Sequence, residues 1–176
     1  IKAKKKWWLV SFIMNNQKWL RMIGLGKLVD KVLSQIRAVF GGRARLLVAG
    51  GAATKPEVEK FYTQLGMAFV QGYGMTETAP LISFTPWQNF RSQSCGQVLK
   101  GYMEARIADA NAEGVGEIQV RGENVMVGYY KNDEATAQSF TEDGWLRTGD
   151  LGTIDKDGFI YIKGRCKTML LGPSGQ

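Results

Sequence analysis

Between Leu46 and Val70 the chain reads strand, glycine loop, helix, strand, and that order leaves few folds open. Leu46-Leu47-Val48 is a short buried strand, and Gly50-Gly51-Ala52-Ala53 follows as a tight loop. Thr54 and Glu57 have the spacing of a capping box for a helix running to about Leu65, where Gly66 stops it. Ala68-Phe69-Val70 is the next strand. Two strands joined through a helix run parallel, so a βαβ unit with a parallel sheet is expected here.

The flanks differ in character. Residues 1–26 read as one or two helices with a break near Gly24 and Gly26. Residues 27–40 form an amphipathic helix, with Leu28, Val29, Val32, Leu33, Ile36, Val39 and Phe40 on one stripe, ended by Gly41-Gly42. After about Pro86 short strands take over: Gly96–Leu99, Met103–Ala108, Gly116–Val120, Gly149–Ile154 and Phe159–Ile162. Glu117-Ile118-Gln119-Val120-Arg121 alternates polar and apolar, as a half-exposed strand does. Asp157-Gly158 marks a hairpin, and one helix over about Asp133–Phe140 interrupts the strands. The expected fold class is α/β: a βαβ parallel-sheet segment followed by a small antiparallel, barrel-like β subdomain.

Charge is uneven along the 176 residues. Residues 1–56 hold 12 Lys and Arg against one acid, whereas residues 57–176 hold 11 against 15. The head Lys2, Lys4, Lys5, Lys6, Trp7, Trp8 fits an anionic membrane surface. The favoured reading is a solvated helix face whose tryptophans pack into the parent protein. The basic residues do not alternate with aromatics as in nucleic-acid modules, so no nucleic-acid partner is expected. No run approaches the about 20 apolar residues of a membrane span. With no histidine, the chain cannot itself supply a Ser-His or Cys-His dyad. Cys95 and Cys166 lack metal-ligand spacing and read as reduced thiols of a cytoplasmic protein.

Chemistry concentrates in Gln71-Gly72-Tyr73-Gly74-Met75-Thr76-Glu77-Thr78. Glycines let a backbone approach a ligand closely, and tyrosine offers a flat face to a base. A hydroxyl beside a carboxylate is hard-oxygen chemistry, suited to phosphate and Mg²⁺. Ligands of open α/β sheets bind beyond the strand ends, where this loop and Gly50-Gly51 both lie. Asp150, in Thr148-Gly149-Asp150, follows a glycine and opens a strand, where it can accept bonds from two sugar hydroxyls. Gly164-Arg165-Cys166-Lys167 brings two cations after the hairpin. Asp155 and Asp157 hint at a calcium loop, but its other ligands are missing.

Six motifs in this order resemble those of the adenylate-forming acyl-CoA synthetases, nearest to the long-chain fatty-acid–CoA ligases. They are Gly-Gly-Ala-Ala, Gly-Tyr-Gly-Met-Thr-Glu-Thr, Gly-Glu-Ile-Gln-Val-Arg-Gly, Gly-Tyr-Tyr, Gly-Trp-Leu-Arg-Thr-Gly-Asp and Asp-Gly-Phe-Ile-Tyr-Ile-Lys-Gly-Arg. The resemblance covers about residues 28–176. It implies ATP, Mg²⁺ and CoA, with a fatty acid activated to acyl-AMP and passed to the CoA thiol. It implies that Gly51 and Ala52 line adenine, that Tyr73 stacks on it, and that Gln71, Gly72, Gly74 and Met75 complete the wall. Thr76 would contact phosphate, Glu77 would hold Mg²⁺, and Asp150 and Arg165 would contact ribose. Lys167 would be a hinge, and Gln176 a nucleotide contact. Leu171 departs from relatives that carry lysine there. The family's Gly-rich phosphate loop and its C-terminal catalytic lysine are not in this sequence. The resemblance thus implies a piece of the large domain, inactive by itself. It divides into a basic, aromatic helical segment (1–27), part of the nucleotide-binding subdomain (28–90), a β-rich subdomain (91–167) and the start of a C-terminal domain (168–176). An acyl-AMP ligase, another carboxylate–CoA ligase, or a non-catalytic membrane-surface scaffold are the alternatives.

Overall fold

The computed structural model describes residues 7–51 and 54–166. Its contacts form two compact units, Ile1–Leu47 with Lys55–Phe69, and Val48–Thr54 with Val70–Gln176.

The first unit is helical. It holds α1 (Trp7–Asn15), α2 (Gln17–Met22), α3 (Gly26–Val39) and α4 (Pro56–Gln64). Gly24, at φ +84°, turns the chain between α2 and α3. Ile13, Met14, Leu20, Val29, Leu33, Leu65 and Met67 form the core, with Val32 and Ile36 packed against it. Spacings of three and four residues put Val29, Val32, Leu33 and Ile36 on one face of α3. Leu28 and Val39, at the edges of that stripe, stay exposed. No described helix is long and apolar enough to cross a membrane. Lys2, Lys4, Lys5 and Lys6 lie outside the described residues.

The capping box expected at Thr54 does not form. Pro56 takes the first helical position, Lys55 becomes the N-cap, and no side chain caps the helix. Proline has a preset φ and no N–H, so it suits that position and shifts the helix start by one residue. Glu57 then sits one place too early to close the box.

Strands β1 (Leu46–Ala49) and β2 (Ala68–Gln71) pair in a two-stranded parallel sheet, as the strand–helix–strand order requires. In the second unit β3 (Ser83–Phe84) and β4 (Gln97–Val98) pair antiparallel. A four-stranded antiparallel sheet has the order β5 (Met103–Ala108), β6 (Gly116–Gly122), β7 (Leu146–Ile154), β8 (Ile160–Arg165). Helix α5 (Asp133–Ser139) lies between β6 and β7 in sequence. The barrel-like expectation is corrected: among the described residues no sheet closes, since β5 and β8 are the two edges of an open sheet. Ile82, Met103, Ile118, Val120, Leu146 and Ile160 form the core of this unit.

The β7–β8 hairpin turns at Gly158, φ +84°, as its sequence predicts. Asp155 accepts the N–H groups of Asp157 and Phe159, each at 3.0 Å. Arg91 pairs with Asp155 and Asp157, both at 2.6 Å. These two carboxylates therefore serve an ion-pair network.

Candidate functional site

The loop after β2 is built from its own hydrogen bonds. Tyr73 N–H donates to the Ser83 carbonyl, and the Tyr73 carbonyl accepts from Ile82 and Ser83. Thr76–Thr78 then forms a single 3₁₀ turn. The fully buried Thr78 hydroxyl accepts from Met75 N–H at 3.2 Å and donates to the Met75 carbonyl at 2.9 Å. So the second hydroxyl of the motif closes the turn. Gly74 is needed for close approach: a Cβ there would stand 1.7 Å from the Pro80 carbonyl oxygen.

The strand β7 brings Asp150 to this loop. The expectation that Asp150 opens a strand is corrected, because β7 starts at Leu146 and Asp150 lies in its middle. Gly149, at φ +69°, sits where the β6–β7 register shifts, between Gln119↔Arg147 and Glu117↔Leu151. Such a bulge re-aims a side chain. Thr148 supports it, donating to the Ile118 carbonyl at 2.7 Å and accepting from Asp150 N–H at 3.1 Å. Asp150 stands opposite Arg165 on β8, and Arg165 Nε lies 3.2 Å from Asp150 Oδ1. Tyr73 donates its hydroxyl to Asp150 Oδ2 at 2.7 Å. Burial, with the Asp150 carboxylate adding to it, holds the Tyr73 phenol far above its usual pKa.

These residues enclose a cavity of about 340 Å³, lined by Gly51, Gln71, Gly72, Tyr73, Gly74, Met75, Cys95, Asp150, Ile162, Gly164 and Arg165. The volume is of the size that holds a small ligand. A second cavity of about 1050 Å³ shares Met75 and Arg165 with it and is lined also by Glu77, Glu117, Tyr129 and Arg147. Eight of the residues singled out from the sequence thus meet at the first cavity, and Glu77 lies at the adjoining one. Thr76 is exposed and lines neither. Ala52, Lys167 and Gln176 lie outside the described residues, as does Leu171.

Three contributions were not read from the sequence. Tyr129 donates its hydroxyl to Glu77 Oε1 at 2.7 Å, and the Glu77 carboxylate raises the Tyr129 pKa in return. Cys95, a free thiol, lines the cavity and takes Gln71 Nε2 at 3.7 Å, while burial raises its pKa. Glu117 accepts from Gly149 N–H at 3.3 Å and from Gln119 Nε2 at 3.0 Å, steadying the bulge. The Gly-Tyr-Tyr motif was the visible signal for Tyr129, but nothing local in it names a partner 52 residues away.

The donor set suits a cation that arrives with phosphate. Among the described residues no group of three or more His, Cys, Asp and Glu could hold a metal ion. Mg²⁺ commonly takes one or two carboxylates and completes its shell with substrate phosphates and water, which one carboxylate such as Glu77 fits.

Over residues 11–130 the chain matches the model of the AMP-binding enzyme family. It is 37% identical over 145 residues to long-chain-fatty-acid–CoA ligase FadD15 of Mycobacterium tuberculosis, across 82% of this chain and 23% of that protein. It is 32% identical over 180 residues to long-chain-fatty-acid–CoA ligase 1 of Saccharomyces cerevisiae, across 99% of this chain and 26% of that protein. Among solved structures it resembles ATP-bound MatB from Rhodopseudomonas palustris, with TM-score 0.67 and 29% identity over 81% of this chain and 31% of that one. It also resembles a malonyl-CoA ligase product complex with methylmalonyl-CoA and AMP bound, with TM-score 0.63 and 34% identity over 80% of this chain and 32% of that one. The chain spans about a quarter of the length of the curated relatives it matches. Motifs, fold and matches agree, and the chain belongs to the AMP-binding enzyme family.

Proposed function

We propose that this chain supplies the adenosine-facing half of the active site of a long-chain fatty-acid–CoA ligase. The observation that carries the reading is the convergence of Gly51, Gln71–Met75, Asp150 and Arg165 on one cavity, with Glu77 beside it. A planar base fits against the side-chain-free backbone of Gly51, Gly72 and Gly74. The Tyr73 ring flanks it, fixed by its hydroxyl bond to Asp150. Asp150 and Arg165 then face the ribose hydroxyls, an acceptor and a donor set side by side. On binding, the sugar hydroxyls share Asp150 with Tyr73 and Arg165, so the carboxylate is already aimed when the nucleotide arrives.

The reaction runs in two displacements. A fatty-acid carboxylate oxygen attacks the α-phosphorus of ATP; the bond to the β-phosphate oxygen breaks and pyrophosphate leaves with the electron pair. The CoA sulfur then attacks the acyl carbon of the mixed anhydride, AMP leaves, and the thiol proton passes to solvent. Both steps gather negative charge on phosphate oxygens, so fixed positive charge and donors are what lower the barrier. Mg²⁺ held by Glu77 would neutralise part of the charge on the phosphates. Arg165 keeps a guanidinium at the nucleotide. The acyl pocket and the residues that meet CoA are expected outside this chain.

The test is ATP–pyrophosphate exchange, driven by a long-chain fatty acid, in a full-length protein that carries this chain. Glu77→Gln and Asp150→Ala should each lower the exchange rate by about 100-fold or more, the usual cost of losing a preorganised charged contact. Exchange at the wild-type rate in both variants would remove this cavity from the adenylation site.

A further inference from the structure

The loop that follows β6 grips the Thr76–Leu81 turn at four points. Met126 N–H donates to the Glu77 backbone carbonyl at 2.8 Å. Asn124 Nδ2 donates to the carbonyls of Thr78 at 2.5 Å and Leu81 at 2.8 Å. The fourth bond, from the Tyr129 hydroxyl to Glu77 Oε1 at 2.7 Å, is the one that reaches a side chain. The first three fix where the turn is; the fourth fixes how its carboxylate points.

Tyr129 is itself held from the opposite side. Its N–H donates to Thr136 Oγ1 at 2.9 Å, and that hydroxyl donates to the Asn132 carbonyl at 2.9 Å. Asn132 caps α5, its Oδ1 accepting from Ala135 N–H at 3.1 Å. The chain runs tight against α5 at this point, since a Cβ on Gly128 would stand 2.8 Å from Thr136 Cγ2. The hydroxyl therefore comes from a backbone anchored to a capped helix. Tyr129 is 39% exposed and stands outside the buried core cluster, so its hydroxyl contributes little to packing.

We propose that Tyr129 is a positioning residue for Glu77: its hydroxyl takes one carboxylate oxygen and leaves the other turned toward the divalent cation and phosphates of the bound nucleotide. This rests on the reading of Glu77 given above. A glutamate side chain is long and free to rotate, and a charge-assisted bond to one oxygen removes that freedom before the ligand arrives. Residues that orient a metal-binding carboxylate in this way govern its affinity for the ion although they never touch it.

The experiment compares Tyr129→Phe, Glu77→Gln and the double variant of the full-length protein that carries this chain. Binding of Mg²⁺·ATP, of ATP in excess chelator and of AMP is measured by calorimetry, and each variant's thermal midpoint is recorded. Tyr129→Phe should weaken Mg²⁺·ATP by about 10- to 100-fold, the cost seen when a ligand's supporting bond is lost. Metal-free ATP, AMP and the thermal midpoint should not change, and the substitution should add nothing to Glu77→Gln. Wild-type affinity for Mg²⁺·ATP in Tyr129→Phe, with the loss intact in Glu77→Gln, overturns the role of Tyr129 alone. Wild-type affinity in Glu77→Gln overturns the reading of Glu77 beneath it. Equal weakening of all three ligands, a lowered midpoint, or a further loss in the double variant assigns Tyr129 a structural role and overturns the proposal.

Discussion

Gly74→Ala tests the close approach on which the nucleotide loop depends. The new Cβ would stand 1.7 Å from the Pro80 carbonyl oxygen, half the 3.4 Å at which ordinary contact begins, and 2.9 Å from Leu81 Cα. Both obstacles are backbone, so no side chain can rotate aside. Relief requires moving the Pro80–Leu81 segment, and that movement strains the bonds from Ile82 and Ser83 N–H to the Tyr73 carbonyl. Overpacking a tight site costs about 1–3 kcal/mol, and a backbone obstacle puts this case at the upper end. In a chain of this length about 3 kcal/mol lowers the melting temperature by about 6–12 °C. Gly50→Ala is the matched control. Its Cβ would meet only the Gly72 carbonyl oxygen, at 3.7 Å. There the lower entropy of the unfolded chain should leave stability unchanged or raise it by up to about 1 kcal/mol. Thermal melts followed by circular dichroism, with urea titrations beside them, read both variants. A Gly74→Ala protein that melts with wild type would refute the steric reasoning and, with it, the need for glycine at this turn.

Other substitutions probe the core and the charge network. Ile118 is fully buried at the centre of the four-stranded sheet, so Ile118→Ala should cost about 2–5 kcal/mol in urea denaturation; a cost under 1 kcal/mol would show that the cluster is loosely packed. The Tyr73 phenol keeps its proton in the folded state above the pH, about 10, at which the unfolded chain loses it. Its contribution is therefore whole below that pH and declines as pH rises further. Wild type should lose more of its melting temperature between pH 9 and pH 11 than Tyr73→Phe does, and parallel curves would contradict the half-buried Tyr73–Asp150 bond.

Much of this architecture was legible because it is local. Strand, glycine loop and helix alternate over Leu46–Val70 with the periods that each element imposes, and the parallel pairing of β1 with β2 follows from them. The amphipathic stripe of α3 and the Asp157-Gly158 hairpin were equally plain. The loop glycines Gly72 and Gly74 stood out in sequence, and the structure gives Gly74 a steric reason. What escaped was set by long-range pairing or by one competing residue. Pro56 overrode the capping signal at Thr54. β3 has two residues, too few for a period, and exists because it pairs with β4, which was legible within Gly96–Leu99. The bulge at Gly149 depends on register against β6, which the sequence of β7 alone does not specify. Whether the β-rich half closes depends on its edge strands, and β5 and β8 stay apart. The bond from Tyr129 to Glu77 joins a loop after β6 to one after β2, and only the folded chain brings them together.

A crystal structure of the full-length protein with AMP tests the central claim most directly. The account expects adenine against Gly51, Gly72 and the Tyr73 ring, with both ribose hydroxyls on Asp150 and Arg165 within reach of the sugar. AMP bound elsewhere while the cavity between the Tyr73 loop and β7–β8 holds only solvent would contradict it.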